Sequence, residues 1–111
     1  MGIIIKWLIS TVAIIVTAYL LPGVTVSGFL AAVIAAAVLG IINVVIKPIL
    51  VILTLPINIL SLGLFTLVIN ALLVMLMAHI VEGFDVKNFW WALLFSVILS
   101  IINPILSKVF K

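Results

Sequence analysis

Gly23 to Asn43 reads GVTVSGFLAAVIAAAVLGIIN, and sixty residues later Gly83 to Asn103 reads GFDVKNFWWALLFSVILSIIN. Gly23, Val26, Phe29, Ala32, Leu39, Ile41, Ile42 and Asn43 recur as Gly83, Val86, Phe89, Ala92, Leu99, Ile101, Ile102 and Asn103. Shared hydrophobicity alone does not produce so dense a coincidence, so the chain reads as two copies of one unit. Each copy enters through a glycine and a short alternating segment, then continues as an apolar run long enough for a helix.

The solvent of these helices follows from composition. Of the 111 residues, 69% are hydrophobic and 6% are charged, far from the balance of a soluble domain. The charges, Lys6, Lys47, Glu82, Asp85, Lys87, Lys108 and Lys111, fall at the ends of apolar runs, as the cost of placing an ion in hydrocarbon requires. The net charge of +3 is therefore a topological signal. It is not a nucleic-acid footprint, because no Lys or Arg cluster could neutralise adjacent phosphates. Without Cys there is no disulfide framework and no thiolate metal site.

The expected fold is all-α and integral to the membrane: four transmembrane helices arranged as two parallel repeated hairpins, with a broken re-entrant or interfacial segment between them. Residues 1–111 form one membrane domain, with repeat one at about 3–46, the central segment at about 47–62 and repeat two at about 63–106. The first run, Met1 to Leu21, has signal-peptide character around Val16-Thr17-Ala18. The offset of sixty places Ile9-Ser10 over Ile69-Asn70 and Pro22-Gly23 over Glu82-Gly83, which favours a retained span. Gly23 and Gly83 begin the two turns. Val24-Thr25-Val26 and Phe84-Asp85-Val86 either remain independent loops or, brought together by a two-fold axis along the membrane normal, pair as a short antiparallel ladder. Asn88 is placed to cap the last helix.

The central stretch PILVILTLPINILSL is too apolar for an aqueous loop and too short for a comfortable span. Pro48 and Pro56 punctuate it, which predicts one short helix starting at Pro48 and another resuming near Ile57. If the segment does not cross, Lys6, Lys47, Lys108 and Lys111 share one side, and the positive-inside rule makes that side and both termini cytoplasmic. Trp7, Tyr19, Trp90 and Trp91 suit interfacial anchors.

Leu55-Pro56-Ile57-Asn58, the run from Leu62 through Leu72 (LGLFTLVINAL), the duplicated glycine turns and NVVIKP at Asn43 to Pro48 carry a family resemblance. Over almost its whole length the chain resembles the small bacterial four-span membrane proteins of phage holin superfamily IV. The resemblance implies a bacterial inner-membrane location and a role in membrane permeabilisation or envelope stress, and it brings no catalytic residue.

Two sets of residues stand out. Ala32, Ala36 and Gly40, repeated as Ala92, Ser96 and Ser100, form a small-residue face at helical spacing, read as contact between the second and fourth spans or as a surface for self-association. Asn43, Asn58, Asn70 and Asn103 are polar groups at or near membrane depth, read as interhelical glue or as a polar track. His79, Glu82 and Asp85 make an ordinary interfacial cluster, and no metal site is assigned. Nothing combines a nucleophile with a base or a phosphate-binding loop, so no enzyme activity and no cofactor is expected. The expected partners are the lipid bilayer and either a second copy or another membrane protein, with no nucleic acid. Two functions remain: a structural or regulatory component that senses or buffers envelope stress, and a self-associating protein that permeabilises the membrane. The scarcity of polar helix faces favours the first, since a water-filled hole needs a polar lining.

The four-span reading predicts that single cysteines replacing Thr25 and Asp85 are both labelled by a membrane-impermeant thiol reagent applied to intact cells, while one replacing Lys47 is protected. Labelling of only one of the two turns would mean that the central segment crosses.

Overall fold

The computed structural model describes residues 2–61 and 63–110, with the side chain of Asn58 outside that description. Five helices and two strands follow in the order α1 (Ile3–Leu20), β1 (Val24–Val26), α2 (Phe29–Leu53), α3 (Leu55–Leu60), α4 (Leu64–Ile80), β2 (Phe84–Val86) and α5 (Phe89–Val109). Helices α1, α2 and α5 are long and apolar enough to cross a membrane. The shorter apolar helix α4 has 17 residues, about 26 Å of rise against a hydrocarbon core of roughly 30 Å.

The strands decide how the helices are arranged. β1 and β2 pair antiparallel with Val24 opposite Val86, Thr25 opposite Asp85 and Val26 opposite Phe84. Thr25 and Asp85 occupy the same position in the two sequence copies, so the ribbon is centred on equivalent residues. Two crossed bonds extend it: Ser27 N–H donates to the Gly83 carbonyl at 2.7 Å, and Lys87 N–H donates to the Gly23 carbonyl at 2.8 Å. On each strand the first residue is buried, the second exposed and the third half-buried, so one face of the ribbon rests on the helices. Of the two alternatives for these turns, the paired ladder is the one found.

Helices α1 and α2 pack together, as do α4 and α5, and the two hairpins meet through α2 with α4 and through α1 with α5. This corrects the expectation that the second and fourth spans pack backbone to backbone, because α2 and α5 lie diagonally across the bundle and their backbones do not approach closely. Fully buried Ile14 on α1 and Met77 on α4 contribute to the filling between them. Phe84 and Phe95 meet edge to face at 5.4 Å, both fully buried. Their counterparts in the first copy are the smaller Val24 and Ala35, also buried, so bulk on one side of the core is matched by small residues on the other.

Pro48 does not break its helix. Helix α2 runs through it to Leu53, and the chain turns at Thr54, so that α3 starts at Leu55 with Pro56 in its first turn. Pro48 removes one donor and leaves the Val44 carbonyl without its usual partner, whereas ending the helix there would strip several backbone groups bare in an apolar solvent. The single lost bond is the smaller cost. The described side chains of α3 are exposed and apolar, Leu55, Ile57, Ile59 and Leu60 among them. Asn88 caps α5 as its sequence position predicts, accepting from the Trp91 N–H at 3.1 Å.

The turn glycines are required by their surroundings. A Cβ on Gly23 would overlap the Trp91 indole, and one on Gly83 would overlap the Ser27 hydroxyl, with Gly83 also at φ +86°. Nothing lies within 4 Å of a Cβ on Gly40. Gly23→Ala and Gly83→Ala should each destabilise the folded protein by about 1–3 kcal/mol, and Gly40→Ala should leave it as stable or slightly more so. Thermal unfolding in detergent, followed by far-ultraviolet circular dichroism, checks the order.

Candidate functional site: a polar cleft among four helices

Three of the four long helices carry a short polar stripe at helical spacing, and the fourth carries one polar residue. On α1 it is Lys6 and Ser10, on α2 Asn43 and Lys47, on α4 Asn70, and on α5 Ser96, Ser100, Asn103 and Ser107. These residues converge on one cleft of about 430 Å³, in the parts of the helices that lie away from the strands along the chain. Leu39, Val74 and Leu99 contribute its apolar lining, and Pro104 part of its wall. The volume falls in the range of small-molecule sites, roughly 300–1,000 Å³.

The stripes are related in pairs by the offset of sixty: Ser10 with Asn70, Asn43 with Asn103, Lys47 with Ser107 and Leu39 with Leu99. Residues at equivalent sequence positions thus line one cleft, and polar residues scattered along the chain meet here. Asn103 donates from Nδ2 to Ser10 Oγ at 3.3 Å and so ties α5 to α1. Ser96 and Ser100 donate within their own helix, to the Leu93 carbonyl at 2.9 Å and the Val97 carbonyl at 2.6 Å, so their hydroxyls offer lone pairs to the cleft. Asn43 and Asn70 have no protein hydrogen-bond partner among the described residues, and no buried side-chain polar atom there is left unsatisfied. Their amides face accessible space in the cleft.

Asn43, Asn70, Asn103, Ser96 and Ser100 are thus brought together. Ala32, Ala36 and Ala92 are buried in the core, and Gly40 is exposed. Asn58 lies on α3, its side chain outside the described residues. The sequence reading passed over Lys6, Ser10, Lys47 and Ser107. The signal was present in the superposed copies, where Lys6 falls on Thr66, Ser10 on Asn70 and Lys47 on Ser107, each a polar residue on another. The expected scarcity of polar helix faces is corrected accordingly: the faces are short and confined to one part of the bundle.

Toward the ribbon the interior closes. Ile14, Ala32, Ala35, Met77, Phe95 and Phe84 are buried and belong to one apolar cluster that continues from Leu39, Val74 and Leu99. Thr11 and Thr17, buried on α1, bond back to the carbonyls of Trp7 at 2.9 Å and Ala13 at 2.6 Å, so they offer no polar path. Trp7, whose indole N–H donates to the Val33 carbonyl at 2.9 Å, fastens α1 to α2.

Among the described residues no group of three or more His, Cys, Asp or Glu could hold a metal ion. The cleft contains no carboxylate or imidazole, and its chemistry is that of amides, hydroxyls and two ammonium groups.

Residues 1–105 match the family model described as mycobacterial four-transmembrane-segment phage holin, superfamily IV. The chain belongs to this family. An uncharacterized membrane protein of Bacillus subtilis, YvlD, is 38% identical over 109 residues, covering 94% of this chain and 92% of the relative. The uncharacterized protein SCO3922 of Streptomyces coelicolor is also 38% identical over 109 residues, covering 89% of this chain and 87% of its own. No solved structure matches. As a member of superfamily IV the chain is a membrane protein whose apolar helices contact lipid.

Replacing Asn103 by Leu, or Ser10 by Ala, removes the α5 to α1 bond, which in membrane proteins is worth about 0.6–1.7 kcal/mol. A double-mutant cycle on thermal or denaturant unfolding in detergent should return a coupling of that size between the two positions. Additive effects would show that the bond carries no stability.

Proposed function

We propose that this holin-superfamily protein is a non-catalytic structural component of the bacterial inner membrane that acts in envelope stress, with both termini cytoplasmic. In this reading it crosses four times as two parallel repeated hairpins, residues about 3–46 and about 63–106, with the segment of about 47–62 lying at the interface. The matched bonds on either side of the Thr25 and Asp85 pair support the repeat. The exposed apolar side chains of α3 support a segment covered by lipid. Lys6, Lys47 and Lys108 toward one end of the helices, against Glu82, Asp85 and Lys87 at the other, support the orientation. Ala32, Ala36, Ala92 and Ser96 serve as close-packing positions within the bundle.

The observation that carries the reading is the closed interior. The cleft lining reaches no farther toward the ribbon than Leu39, Val74 and Ser96, and beyond it a buried apolar cluster fills the interior down to fully buried Phe84 and Phe95, with the buried hydroxyls of Thr11 and Thr17 bonded back to carbonyls of α1. A conducting hole through one copy would need polar groups or water along its whole length. A single bundle built in this way separates the two sides of a bilayer.

The test is release of a trapped fluorescent dye from liposomes reconstituted with the protein over a range of protein-to-lipid ratios. No release above that of protein-free liposomes is expected at any ratio. Release rising steeply with protein density would overturn the structural reading in favour of the self-associating, permeabilising one.

A further inference from the structure

We propose that the cleft is a binding site for an anionic phosphate group, presented either by a phospholipid headgroup or by free phosphate. Lys6 and Lys47 line the cleft from α1 and α2, and among the described residues no carboxylate lines it with them. The two acidic residues of the chain, Glu82 and Asp85, lie in the turn that holds β2, away along the chain from every lining residue. The cleft therefore carries an uncompensated positive potential, and low-dielectric walls such as Leu39, Val74 and Leu99 focus it.

Hydrogen-bonding capacity points the same way. Each Lys ammonium has three donors, each Asn amide has two, and the amides of Asn43 and Asn70 have no protein partner among the described residues. An anionic phosphate has only acceptors to offer at its charged oxygens, which suits a lining with surplus donors. The donors come from three helices, with Lys6 on α1, Asn43 and Lys47 on α2, and Asn70 on α4, so they surround a volume.

Topology alone does not explain this placement. The positive-inside rule asks only that lysines lie near helix ends on one side, as exposed Lys108 does without lining the cleft. Lys6 and Lys47 sit one turn from Ser10 and Asn43 and share their stripes. In the second copy their counterparts are Thr66, outside the lining, and Ser107, within it, so the charge belongs to one half of the cleft. Apolar side chains exposed beside the stripes, among them Val44, Val45, Ile101 and Ile105, would leave room for acyl chains if the phosphate belongs to a lipid.

Phosphorus NMR of the purified full chain in a phosphate-free neutral detergent tests the site. Phosphatidylglycerol, phosphatidylcholine and inorganic phosphate are titrated separately, and saturable broadening of the phosphorus signal is read. Saturation is expected with phosphatidylglycerol or with inorganic phosphate, and which of the two saturates identifies the source. The Lys6→Gln, Lys47→Gln double variant should weaken binding on the order of tenfold or more, and Asn43→Leu should weaken it severalfold without a change of charge. Lys87→Gln and Lys108→Gln, which alter exposed lysines outside the cleft, should bind as the native chain does. Circular dichroism and gel filtration of each variant separate loss of the site from loss of the fold. Absence of saturation, equal binding of phosphatidylcholine, or equal weakening by Lys108→Gln would overturn the proposal.

Discussion

In hydrocarbon a backbone N–H or C=O without a partner costs several kcal/mol, and at one end of the bundle this chain reverses direction twice, after α1 and after α4. The two reversals solve the problem for each other. Val24 to Val26 supplies partners for Phe84 to Val86, and the crossed bonds from Ser27 to Gly83 and from Lys87 to Gly23 close the ribbon at both ends. A two-stranded ribbon is marginal by itself, so this one depends in turn on Val24 and Phe84 being buried against the helices. Everything else in the bundle is placed relative to that junction.

Because Thr25 and Asp85 are equivalent and face each other, equivalent helices take diagonal positions and unlike helices become neighbours. The diagonal placement has two consequences. Near the ribbon, where both copies are apolar, it gives a filled core in which Phe84 and Phe95 take space that Val24 and Ala35 leave free. Farther away, where both copies carry polar residues, it gathers amides, hydroxyls and two lysines into a cleft. One arrangement thus yields a closed half and an open half.

Lipid replaces water as the surrounding solvent, so apolar area is a poor guide to what holds the helices together. Close backbone approach contributes instead, through Ala13, Ala32, Ala35, Ala71 and Ala92, all fully buried. The many exposed Ile, Leu and Val side chains are the surface expected toward acyl chains. The same reasoning accounts for Pro48 inside α2 and Pro104 inside α5, where one missing donor is tolerated to keep the remaining helical bonds intact.

Composition, the spacing of charges and the duplicated glycine turns were sufficient to read a helical membrane protein with two like stretches of sequence, because each depends only on local chemistry or on comparison of the chain with itself. Asn88 as a helix cap was legible for the same reason. The ladder was open in the sequence as one of two alternatives, since strands of three residues have too little intrinsic preference to declare themselves. What only the tertiary structure decided was which helices are neighbours. A small-residue face at Ala32, Ala36 and Gly40 specifies close packing but not the partner, and the diagonal placement of α2 and α5 left Gly40 exposed. It also placed Lys6, Ser10, Lys47 and Ser107 around the asparagines, a convergence set by which helices are neighbours and therefore invisible to any spacing within one of them.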